Sequence, residues 1–190
     1  MTRDAAIAAA LDTLTSGQFK ADLARRVAMP TVSREADHWP DLQRYLDDEL
    51  APIFARLGFE QRQFRRDPAP GGFLLASRIE DPALPTVLMY GHGDVVTGVP
   101  EMWSPGLDPF ARTERDGVWY GRGTADNKGQ HSVNLAAIEA VLAVNGRLGF
   151  NLKFLMEMGE EYGSPGLADL VAENAGAFAA DMLKIGRAHV

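Results

Sequence analysis

Leu88-Met89-Tyr90-Gly91-His92-Gly93-Asp94-Val95-Val96 completes an apolar run that begins at Thr86. Residues 86–90 are aliphatic, β-branched or aromatic, the composition of a buried strand. The strand runs into Gly-His-Gly-Asp, where the glycines permit tight backbone geometry. His92 and Asp94 stand two apart, so in extended chain they point to the same side. An imidazole beside a carboxylate suits a metal site. One ring nitrogen binds the ion, and the other needs an acceptor to fix its tautomer. A plain strand-end turn with a polar histidine accounts for the same residues.

The flanking sequence alternates between helix and strand patterns. Upstream, alanine-rich residues 2–15 and residues 18–28, stopping before Pro30, are expected helices. Residues 33–40 read as a loop. Leu42, Tyr45, Leu46, Leu50, Ile53, Phe54 and Leu57 follow helical spacing up to Gly58, with Pro52 expected to kink or divide the helix. Residues 59–64 and 73–79 are expected strands. Downstream, 100–109 is loop, and 110–115 with 118–120 predicts a hairpin around Asp116-Gly117. A helix over 130–144 closed by Asn145-Gly146, a strand over 150–156 and a helix over 164–173 follow. This alternation predicts a layered α/β domain with a mixed, largely parallel sheet. No internal repeat or low-complexity linker interrupts it.

Composition narrows the chemistry. The 190 residues suffice for one sizeable core, and 46% hydrophobic with 24% charged residues is ordinary for a globular protein. A net charge of -7 argues against nucleic acid or an anionic membrane as partner. With no cysteine, disulfides and thiolate metal sites are excluded, leaving histidine and carboxylates as ligands. No apolar run is long enough to span a membrane, and the N-terminus lacks a signal-peptide core. A cytoplasmic location is the default expectation.

Two further stretches carry polar residues at element ends. Gly121-Arg122-Gly123-Thr124-Ala125-Asp126-Asn127-Lys128-Gly129 follows a strand and precedes a helix. It lacks the Gly-Lys-Ser/Thr of a phosphate loop. A helix-entry loop capped by Asp126 is its plain reading. Glu157-Met158-Gly159-Glu160-Glu161-Tyr162-Gly163-Ser164 follows the strand ending near Met156. Its plain reading is a solvated acidic turn. Buried without partners, the adjacent carboxylates would be expensive, and bound cations would remove that cost. Strand ends in an α/β sheet converge on one crevice, so His92, Asp94, Asp126, Glu160 and Glu161 are expected to meet there. One histidine plus several carboxylates suits a hydrolytic site with two zinc-class ions.

The three stretches, in this order and spacing, resemble the M20 family of zinc peptidases and deacylases, the group of carboxypeptidase G2, dipeptidases, acetylornithine deacetylase and succinyl-diaminopimelate desuccinylase. Trp103 and Asp108-Pro109-Phe110 also fit the family's intervening segment, and the resemblance covers about 18–183. It implies a dinuclear Zn2+ centre, with Co2+ as a substitute. His92 and Glu161 would each bind one ion and Asp126 would bridge both. Asp94 would orient His92, and Glu160 would be the general base. The implied reaction is hydrolysis of a peptide or N-acyl amide bond in a small substrate, and the resemblance implies a homodimer for the full-length protein.

Three departures stand out. Thr97 replaces a frequent proline, and Asn127 replaces a frequent second aspartate beside the proposed bridge. The family's further carboxylate ligand, its late histidine and its lid domain have no counterpart, so 1–184 is expected to be the N-terminal part of a catalytic domain. The alternative reading is a truncated, non-catalytic fragment or metal-binding module lacking two ligands. Ile185-Gly186-Arg187-Ala188-His189-Val190 matches a translated sequencing adapter, so 185–190 is expected to be a non-native tail. His38 and His131 are expected to be structural or solvated.

Overall fold

The computed structural model describes residues 2–66 and 70–185. Of the expected tail at 185–190, residues 186–190, His189 included, lie outside the described residues. The chain forms two compact units, Met1–Met29 with Gly98–Gly149, and Pro30–Thr97 with Phe150–Val190.

The second unit holds the sheet. Its strands are β1 (Glu60–Phe64), β2 (Phe73–Arg78), β3 (Thr86–His92), β6 (Asn151–Glu157) and β7 (Met182–Lys184), in the order β1-β2-β6-β3-β7. β1/β2 and β2/β6 pair antiparallel, whereas β6/β3 and β3/β7 pair parallel. The sheet is therefore mixed, and its parallel part carries the glycine-flanked histidine. One face packs Phe73, Leu75 and Leu155 against Leu170 and Phe178, from helices α6 (Leu167–Glu173) and α7 (Ala175–Phe178). On the other face Phe154 meets Phe54 of α4 (Ala51–Arg56), ring centroids 5.5 Å apart. Helices thus cover both faces, the α/β/α layering that alternating strand and helix patterns predict.

The expected long helix is broken before Pro52. It runs as α3 (Trp39–Arg44), a π turn (Tyr45–Leu50) and then α4. Proline has no N–H to donate to the preceding turn. The wider turn absorbs that gap and keeps Tyr45, Leu46, Leu50 and Phe54 buried.

The first unit holds α1 (Arg3–Thr15), α2 (Gln18–Val27), the hairpin β4 (Thr113–Arg115) and β5 (Val118–Tyr120), and α5 (Lys128–Asn145). Asp116 and Gly117 both have positive φ, 52° and 75°, the two-residue turn that suits strand twist. β4 and β5 form a sheet of their own. The strand preceding Asp126 is thus not a strand of the main sheet, contrary to the expectation that all three stretches leave one sheet. Its turn chemistry favours local pairing. None of the described helices is long and apolar enough to cross a membrane.

Candidate active site

His92 is the last residue of β3 and pairs in parallel register with Glu157, the last residue of β6. The two strand ends therefore deliver both following loops to one edge. Gly93 continues the pairing one residue past the strand, its N–H donating to the Glu157 carbonyl at 2.9 Å. A Cβ at Gly93 would stand 2.7 Å from the Tyr45 ring and from Met158 Sδ, so only glycine fits this approach. Thr31 Oγ1 donates to the Gly93 carbonyl at 2.6 Å.

Both His92 and Asp94 are buried. His92 Nδ1 lies 3.1 Å from the Asp94 carbonyl and 3.4 Å from its carboxylate Oδ1. A carbonyl only accepts, so Nδ1 carries the proton, and in the neutral ring the lone pair resides on Nε2. That is the tautomer a metal ligand needs. Asp94 also accepts from the backbone of the acidic turn. The Glu160 N–H donates to Oδ1 at 3.1 Å, and the Glu161 N–H to Oδ2 at 3.0 Å. The carboxylate thus holds the histidine and both glutamates' backbones together. Glu160 is exposed, with its carboxylate 3.8 Å from His92 Nε2. Glu161 is partly buried, and its carbonyl accepts from Arg34 Nε at 2.8 Å.

Asp126 lies in the first unit and is exposed. It does not cap α5. The cap position is Asn127, which makes no side-chain capping bond. Asn127 instead turns into the helix, donating from Nδ2 to Gln130 at 3.2 Å and standing 3.4 Å from His131 Nδ1. The residue that departs from the common aspartate therefore serves the helix start. Gly129 abuts Thr124, where a Cβ would stand 1.9 Å from the carbonyl oxygen. His131 is fully buried, and His38 pairs with Asp41 at 3.2 Å. Among the described residues, no three His, Asp or Glu side chains are gathered as a ready metal cluster.

Sequence reasoning gave no role to Glu157 or Arg34. Glu157 is fully buried. Its Oε1 accepts from the Tyr90 hydroxyl and from Ser164 Oγ at 3.0 Å, while Oε2 is buried with no hydrogen-bond partner among the described residues. Burial pushes its carboxyl above the usual range, against the pull of those two hydrogen bonds. Burial, then the charge of Glu157, raises the Tyr90 hydroxyl as well. The available signal was an acid between Met156 and Met158, directly after the apolar run Phe154-Leu155-Met156.

Peptidase family M20/M25/M40 matches residues 88–188. The chain is similar to the cysteinylglycine-S-conjugate dipeptidase of Corynebacterium striatum, 44% identical over 54% of this chain and 22% of that protein. It is also similar to the Cys-Gly metallodipeptidase of Schizosaccharomyces pombe, 33% identical over 83% of this chain and 35% of that one. The crystal structure of human carnosine dipeptidase 1 superposes with a TM-score of 0.84 at 31% identity, covering 90% of this chain and 38% of that chain. The chain thus spans well under half the length of these relatives.

Proposed function

The chain belongs to peptidase family M20/M25/M40, and on that premise we propose that it carries part of the metal-binding centre of a zinc hydrolase acting on a small amide substrate. The observation that carries the reading is His92 with its proton on Nδ1, beside a carboxylate that also grips the Glu160-Glu161 turn. Imidazole nitrogen with carboxylate oxygens, and no thiolate, is a donor set that suits Zn2+ and Co2+.

His92 Nε2 and Glu161 supply ligands. Asp126, on the strength of its motif alone, would supply the ligand shared between the ions. When bound, the metal supplies a Lewis acid that polarises the amide carbonyl and acidifies water. Glu160, whose carboxylate lies near His92 Nε2, accepts the proton of the attacking water. It passes that proton to the departing amine as the C–N bond breaks. Asp94 keeps His92 in the binding tautomer throughout. The relatives named above are dipeptidases, which favours a dipeptide over an N-acyl amino acid.

Isothermal titration of Zn2+ into the apo chain tests this. Wild type is expected to bind, and His92→Ala to bind at least about tenfold more weakly, since it removes a direct ligand. Absence of binding by wild type, or unchanged binding by His92→Ala, overturns the reading.

A further inference from the structure

We infer that Glu157 is a positioning residue that ties the histidine strand to the acidic turn, holding the Glu160-Glu161 backbone where Asp94 receives it. The inference rests on the functional reading above only for its consequence, because the tie is a feature of the fold itself. Glu157 makes three connections. Its Oε1 accepts from Tyr90, two residues before His92 on the same face of β3. The same oxygen accepts from Ser164 Oγ, at the exit of the acidic turn. Its carbonyl accepts from Gly93, directly after His92.

Ser164 is itself a constrained residue. It has φ +51°, in the left-handed region, and its N–H closes back on the Gly159 carbonyl at 2.8 Å. The Gly163 N–H likewise returns to the Glu160 carbonyl at 2.8 Å. The turn is therefore held at its entrance by Asp94 and at its exit by the Glu157–Ser164 bond. A side chain wanted only for packing would be apolar here, as Met156 and Met158 are, both fully buried. Instead the fold buries a carboxyl with one oxygen unsatisfied, an arrangement that costs stability. What it gains is one acceptor, Oε1, that two separate segments share.

Amide hydrogen exchange on the apo chain, read by NMR, tests the inference in Glu157→Met and Glu157→Gln. Met matches the volume and removes the acceptor, whereas Gln keeps Oε1. In the Met variant the Glu160 and Glu161 amides are expected to exchange about tenfold faster, the net worth of one hydrogen bond. Phe154 and Leu155 amides should stay near wild type, and Gln should restore slow exchange. If Glu157→Met fails to fold, Tyr90→Phe, which removes one donor, is expected to speed the same two amides several-fold. Unchanged exchange at Glu160 and Glu161, or equal acceleration at Phe154 and Leu155, overturns the inference. Because no metal is present, failure here is separate from failure of Zn2+ binding by wild type.

Discussion

Asp94 concentrates more structure than any other residue of the site, since its carbonyl, both carboxylate oxygens and the His92 ring form one assembly. Asp94→Ala is expected to weaken Zn2+ binding about 10- to 100-fold, the usual cost of removing the group that orients a ligating histidine. Calorimetry checks this, and a change under about threefold would contradict it. Gly93→Ala should destabilise the second unit by about 1–3 kcal/mol through overpacking against Tyr45 and Met158, as read by urea unfolding. Glu157 gives a pH dependence. Its carboxyl titrates higher folded than unfolded, so the unfolded state loses the proton first. Its contribution is therefore full at acid pH and is lost as pH rises through the elevated folded value. Wild-type stability relative to Glu157→Gln should fall across that window, with Tyr90, His92 and Asp94 as the titratable neighbours. A flat difference would refute it. At this scale His92 and Asp94 were legible because a two-residue spacing at a strand end dictates a shared face. Glu157 was not, because register across β3 and β6 decides what it meets, and register is a tertiary property.

Elements were legible where local chemistry is strong. The hairpin around Asp116-Gly117 forms because both residues tolerate positive φ. Pro52 forecast a break, and the break took the form of a π turn, which periodicity alone does not specify. α5 starts at Lys128, two residues ahead of the start at 130 that the sequence pattern predicts. Lys128 is fully buried, and its Nζ donates to the Arg26 carbonyl at 2.9 Å and the Met29 carbonyl at 2.6 Å. It thereby closes the C-terminal end of α2. Lys128→Met should leave those acceptors unsatisfied and cost about 1–3 kcal/mol. Denaturant unfolding measures it, and a loss under about 0.5 kcal/mol would show that water replaces the ammonium group.

At the scale of the whole molecule, the layered fold followed from the order of patterns, whereas the division into two units did not. By that division Asp126 belongs to the first unit, and His92, Asp94, Glu160 and Glu161 belong to the second. Zinc at about 100 times its dissociation constant should stabilise the chain by about 2.7 kcal/mol, reversibly with chelator. Among the described residues β7 pairs with β3 alone, and Met182 and Leu183 on it are 63% and 64% exposed. An exposed apolar edge invites association, so Leu183→Lys should lower any concentration-dependent mass seen by light scattering. The most direct test of the central claim is long-range proton–nitrogen NMR of the His92 ring during a Zn2+ titration. The proton is predicted on Nδ1 in the apo chain, with Nε2 moving on zinc addition. A proton on Nε2, or an Nε2 signal indifferent to saturating zinc, would contradict it.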